Sequence, residues 1–139
     1  MWGAIRVGGV FCGSNPAYEV SEMVYALTRS KAKFVVADQG SWERVREACK
    51  QVGVGKERVF LLEGEDGGRG AVVEAGVVGV RELCEIGKGW GGKGQVPEVR
   101  VGEGESNKDL LCFLAFSSGT TGYPKAVCCS FPQSIGPGS

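Results

Sequence analysis

Between Gly3 and Glu63 the hydrophobic pattern changes period again and again, and that alternation limits the chain to few architectures. "AIRVGGVF" reads as a short strand loosened by Gly8 and Gly9, and "GSNPAY" as a turn in which Pro16 holds Asn15 extended. Val20, Met23, Val24 and Leu27 then fall at i, i+3, i+4 and i+7, one face of a helix. "KFVVAD" is a strand. Ser41 is placed to cap a second helix that turns Trp42, Val45, Cys49 and Val52 inward and stops near Gly53. "RVFLLE" is a further strand. This βαβαβ order specifies an α/β fold of largely parallel strands with flanking helices. "LLCFLAF", Leu110 to Phe116, is apolar throughout, as a strand covered on both faces is. Two helices, with a weaker third pattern around "GVRELCEI", are few to shield four strands on both sides. The sheet is therefore expected to be short of cover.

The length of 139 residues fits one domain or one piece of a larger one. Sixteen basic residues balance sixteen acidic ones, so no bulk charge draws the chain to nucleic acid or to an anionic membrane surface. No apolar run approaches the ~20 residues that cross a bilayer. The expectation is a cytoplasmic chain, without a membrane or nucleic-acid partner and without a Ser-Lys-Leu address at its end. Six cysteines show no CxxC pairing and are expected as reduced thiols, several of them in the core. The absence of histidine removes Ser-His and Cys-His nucleophile systems and every zinc site that needs an imidazole. No catalytic residue and no metal ligand is nominated.

Glycine, with 24 residues, clusters between Gly64 and Gly104. Within that region residues 87–109 read as a flexible connector, and residues 131–139 as an irregular tail. "GKGWGG" satisfies G-x-G-x-x-G at Gly87, Gly89 and Gly92, but no helix pattern follows it, as a dinucleotide fingerprint requires. "GGRG", Gly67 to Gly70, is a single copy in a neutral chain and reads as loop.

"FLAFSSGTTGYPKAV", Phe113 to Val127, is of a different kind. It is not a Walker A loop, because Lys125 follows Pro124 and precedes Ala126. Its ingredients nevertheless suit a polyphosphate. Gly119 and Gly122 let the main chain approach a ligand so that successive N–H groups form an anion-holding nest. Ser117, Ser118, Thr120 and Thr121 add hydroxyl donors, and Lys125 adds a compact positive charge. Pro124 fixes its own φ and restrains Tyr123, which aims the lysine.

"SSGTTGYPKAV" resembles the phosphate-binding loop of the adenylate-forming (AMP-binding) superfamily, which reads Ser/Thr-Ser-Gly-Thr-Thr-Gly, any residue, Pro-Lys-Gly. Ala126 departs from the final glycine, and its methyl is expected to crowd the backbone beside the lysine. "GAIRVGGVFCGSNPAYEVSEMVYALTRSKAKFVVAD" is similar to the matching segment of acyl-CoA synthetases, and Asn15-Pro16 favours the coumarate-CoA-ligase-like branch. The resemblance runs from about Gly3 to Ser130. It implies a partial adenylation domain over residues 1–130 and a two-step reaction. ATP, with Mg2+, and a carboxylic acid give an acyl-adenylate and pyrophosphate, and CoA then displaces AMP. Ser117, Ser118, Gly119, Thr120, Thr121, Gly122 and Lys125 match the nucleotide-binding positions. The family's adenine, ribose, acyl-pocket and C-terminal segments lie beyond its loop, so the resemblance also implies a truncated internal fragment, inactive alone. The alternatives are a non-catalytic module that docks on a full-length ligase or companion chain, and an active ligase whose other parts lie outside this sequence.

Overall fold

The computed structural model describes residues 1–63, 76–92, 95–100, 110–117 and 124–130. The chain divides into two compact units, one of residues 1–14 and 95–139 and the other of residues 15–94.

The second unit contains the βα alternation. Helix α2 (Val20–Ser30) starts with a capping box, in which the Glu19 side chain accepts from the N3 backbone and Glu22 accepts the Glu19 N–H at 2.9 Å. It buries Met23 and Ala26 and ends at Lys31, whose φ of 52° is left-handed. Strand β2 (Val35–Asp38) leads into α3 (Trp42–Val52), and a 3-10 turn (Lys56–Arg58) precedes β3 (Val59–Leu62). Strand β4 (Val78–Gly79) runs directly into α4 (Val80–Gly89). The three strands form a parallel sheet in the order β2-β3-β4. Ala37, Trp42, Cys49, Val59 and Leu61 make its core, with Leu27, Val35, Val45, Val54 and Val77 packed around them.

Ser41 stands at the N-cap of α3, as the sequence specifies, but its hydroxyl is engaged elsewhere. It donates to Asp38 Oδ2 at 2.8 Å, while the N–H groups of Gly40 and Ser41 donate to Asp38 Oδ1 at 2.8 and 3.1 Å. The Ser41 hydroxyl and these N–H groups hold the Asp38 carboxyl below the ordinary carboxylate range. Glu63 plays a comparable part at α4. Its carboxylate accepts its own N–H and the Arg81 N–H, the latter at 3.1 Å, and these two bonds, in that order of weight, lower its pKa.

The first unit holds α1 (Trp2–Arg6), β1 (Phe11–Gly13), β5 (Leu111–Ser117) and β6 (Lys125–Ser130). Its sheet has the order β1-β5-β6, with β1 parallel and β6 antiparallel to β5. The expected strand "AIRVGGVF" is corrected here: its first half is helix. Gly8 donates to the Ile5 carbonyl at 2.9 Å and Gly9 to the Ala4 carbonyl at 2.8 Å, the paired bonds of a Schellman stop, with φ of 83° at Gly8. The two glycines end a helix rather than loosen a strand. Ile5 and Cys112 are buried, and Phe113 meets Trp2 and Phe11 edge-to-face at centroid distances of 6.4 and 6.0 Å.

The weak pattern around "GVRELCEI" is a helix, α4, which reaches Gly89 and so covers the start of the 87–109 segment. Gly91 and Gly92, with φ of 54° and 81°, follow its end. "GKGWGG" thus lies at a helix C-terminus, opposite to where a dinucleotide motif would place it. "GGRG" and the 131–139 tail fall outside the described residues. All six cysteines are described and none forms a disulfide, and burial pushes the Cys49 thiol up to about 11. No helix among the described residues is long and apolar enough to cross a membrane.

Candidate nucleotide-binding site

The expected phosphate loop joins β5 to β6, and the register of these strands fixes its two ends. Ser117 closes β5 and Lys125 opens β6, and the two are partners across the antiparallel ladder. Pairing continues through Phe116 with Ala126, Ala115 with Val127, Leu114 with Cys128 and Phe113 with Cys129. Beyond Phe113 the register shifts, so that Cys112 is an extra residue on β5. Its buried thiol donates to the Cys129 carbonyl at 3.5 Å. The ladder is therefore regular next to the loop and irregular only at its far end.

Residues 118–124 span the connection, longer than the two to five residues that ordinarily close a hairpin. Ser118, Gly119, Thr120, Thr121 and Gly122 lie outside the described residues, so the structure brings together only the flanking pair, Ser117 and Lys125. Lys125 is exposed on its strand, with its ammonium stem at the loop end of the ladder. Ala126 is exposed as well, and paired with Phe116 in the ladder.

The parallel partner adds a feature that the sequence reading missed. Strand β1 ends at Gly13, in register with Ala115, so β1 and β5 deliver their C-terminal ends to the same edge of the sheet. Ligand crevices of parallel sheets open at that edge. Only the long-range β1–β5 pairing reveals it, and no local motif marks it.

Asn15, which carried the distinction between branches, has a local structural role. Its side-chain oxygen accepts the Ala17 N–H at 2.9 Å and its carbonyl accepts the Tyr18 N–H at 3.1 Å, a closed Asx turn. Arg44 on α3 donates to the Pro16 carbonyl at 2.9 Å and fastens the turn to the helix. Among the described residues no group of three or more Cys, Asp or Glu is arranged to hold a metal ion.

Comparison with known proteins gives the family. The profile of the AMP-binding enzyme family matches residues 1–135. The acyl-CoA ligase azaF of Aspergillus niger is 30% identical over 125 residues, covering 90% of this chain and 22% of azaF. The 4-coumarate–CoA ligase-like 1 protein of Arabidopsis thaliana is 30% identical over 129 residues, covering 90% of this chain and 19% of its own length. Among solved structures, the anthranilate CoA ligase AuaEII in complex with anthranoyl-AMP has the same fold over 91% of this chain and 21% of its own, with a TM-score of 0.65 at 17% identity. A red-emitting luciferase from Phrixothrix hirtus also reaches a TM-score of 0.65, at 20% identity, over 91% of this chain and 28% of its own. The chain spans about a fifth of the length of the curated relatives it matches. The profile match over nearly the whole length, and the shared fold, make this chain a member of the AMP-binding enzyme family and a relative of its acyl-CoA ligases.

Proposed function

We propose that this chain supplies the polyphosphate grip of an ATP-dependent acyl- or aryl-CoA ligase, the kind that adenylates a carboxylic acid and passes the acyl group to CoA. The observation that carries this is the Ser117–Lys125 register, which plants an exposed lysine at the mouth of a long glycine- and hydroxyl-rich connection. Backbone N–H groups of residues 118–122 would hold the β- and γ-phosphates, with hydroxyls from Ser117, Ser118, Thr120 and Thr121 and the ammonium of Lys125 around them. Magnesium would arrive on the phosphates and neutralise part of their charge. Held this way, the α-phosphorus is presented to a substrate carboxylate, and charge on the departing pyrophosphate is stabilised.

The chain binds nucleotide but does not complete either half-reaction alone, in keeping with its one-fifth share of its relatives. Its thiols, none in a disulfide, suit a reducing compartment, and we take that to be the cytoplasm.

Calorimetric titration of the purified chain with Mg-ATP and with pyrophosphate tests the grip. Lys125→Ala is expected to weaken both about 10- to 100-fold, the equivalent of one charge-assisted hydrogen bond of ~1.5–3 kcal/mol. Equal binding by wild type and variant would remove the lysine from the site. Pyrophosphate exchange with aromatic and fatty acids is expected to be silent, and turnover by the purified chain would overturn its assignment as inactive alone.

A further inference from the structure

Cys12, Cys112, Cys128 and Cys129 all lie in the first unit, and the strand registers sort them. Cys12 on β1 and Cys128 on β6 both pair with Leu114, one from each side of β5. Two strand spacings of ~4.8 Å separate them, beyond the ~7 Å at which two cysteines can still be bridged. Cys128 and Cys129 are neighbours on one strand and point to opposite faces. Cys112 and Cys129 differ. Between Leu111 and Phe113 the ladder advances two residues on β5 for one on β6, so Cys112 and Phe113 together oppose Cys129. Cys112 is 1% exposed, and its thiol reaches across the ladder to residue 129 itself, with Sγ 3.5 Å from the carbonyl oxygen. Opposed residues of an antiparallel pair have Cα atoms ~4.5–5.5 Å apart, within the span of a disulfide. Cys129 is half-buried, which leaves it within reach of a small reagent.

We propose that Cys112 and Cys129 are a site of thiol oxidation, which a low-molecular-weight disulfide such as oxidised glutathione converts into a bridge across the β5–β6 ladder. The Cys129 thiol gives its proton to solvent and its thiolate attacks one sulfur of the reagent. One glutathione leaves as a thiolate, and the other stays on Cys129 as a mixed disulfide. The Cys112 thiolate then attacks the Cys129 Sγ and the second glutathione leaves. Two protein thiols lose two electrons, and one reagent disulfide gains them and is released as two thiols. The order follows exposure, with the accessible thiol reacting first and the buried one resolving it. The bridge encloses residues 113–128, so it closes the hairpin at the end opposite the Ser117–Lys125 pair. In a reducing compartment a disulfide of this kind is transient and regulatory rather than structural. The inference rests on the register of β5 and β6 and not on the phosphate grip.

The test equilibrates the purified, reduced chain with mixtures of reduced and oxidised glutathione, digests it without reductant and identifies the linked peptides by mass spectrometry. A Cys112–Cys129 pair is expected, growing with the share of oxidised glutathione and lost on adding a dithiol. Cys112→Ala is expected to trap glutathione on Cys129, because the resolving thiol is gone. Cys129→Ser, at a half-buried position, should remove the bridged pair altogether with unchanged circular dichroism. Cys12→Ser and Cys128→Ser should leave its yield unchanged. Lys125→Ala should do the same, which separates failure of this site from failure of the nucleotide site. The proposal is overturned if glutathione stays on Cys129 of the unaltered chain without progressing to a bridge, if the bridge uses Cys12 or Cys128, if it forms only between two chains, or if Cys129 does not react.

Discussion

The two units of this chain separate most of the described buried core from the loop proposed to carry chemistry. Residues 15–94 hold most of the buried core, organised by two amphipathic helices over a parallel sheet. Residues 1–14 and 95–139 hold the two ends of the proposed nucleotide-binding loop on a mixed sheet, with Ile5 and Cys112 as its buried apolar residues among those described. In the first case the sequence spells out the fold and no chemistry. In the second it spells out a proposed chemistry, while β5 beside it pairs with β1, a hundred residues away.

The sharpest way to break that contrast is to excavate each unit in turn. Trp42 is buried at the start of α3 against Leu61 and Ala37, and Trp42→Ala is expected to cost about 3–5 kcal/mol. Phe113, hub of the Trp2 and Phe11 contacts but only partly buried, should cost about 2 kcal/mol on change to alanine, the lower figure reflecting its partial exposure. Urea titrations by circular dichroism measure both. A larger loss at Phe113 would show that the motif-bearing unit is the better packed of the two.

How much was legible follows the same line. Helices α2 and α3, their inward faces and the stop at Gly53 were readable because their determinants are local: a 3.6 period and a left-handed terminal residue, φ 77° at Gly53. Helix α1 was not, because a five-residue helix has too few turns to show a period, and Gly8-Gly9 serves a loosened strand and a helix stop alike. Strand β6 was not read, although it pairs with its neighbour β5, and the splitting of the strands into two sheets was not readable because it depends on the β1–β5 pairing at a distance. At the site, the sequence supplied the residue types and the ladder supplied their meeting, with Ser117 and Lys125 made neighbours only by register.

Acid provides a smaller test, confined to the second unit. Asp38 has its carboxyl lowered by the Ser41 hydroxyl and the neighbouring N–H groups, so its stabilisation is complete above the unfolded value of about 3.9 and is lost as pH falls through the lower folded value. Asp38→Asn should cost about 1 kcal/mol at neutral pH and flatten the acid limb of the stability profile below pH 4. Retention of that limb in the variant would assign it to other carboxylates, Glu63 first among them.

The finest comparison lies in three helix ends. Gly53, in the second unit, has φ of 77° with open space around the position of a Cβ, so Gly53→Ala meets backbone strain alone, about 1 kcal/mol. Gly8, in the first, has nearly the same φ, 83°, but a Cβ there would lie 2.6 Å from Val99 Cγ2. Val99 is β-branched and its N–H is held by the Arg6 carbonyl at 2.8 Å, so it yields little and Gly8→Ala should cost about 2 kcal/mol. Lys31 already bears the left-handed strain at φ 52°, so Lys31→Gly is expected to stabilise, by ~0.5 kcal/mol once the greater freedom of glycine in the unfolded chain is set against the relief. Chemical denaturation of the three variants gives the order directly. If Gly8→Ala proves no worse than Gly53→Ala, Val99 is not packed on α1, and the first unit loses the contact that ties its opening helix to residues 95–100.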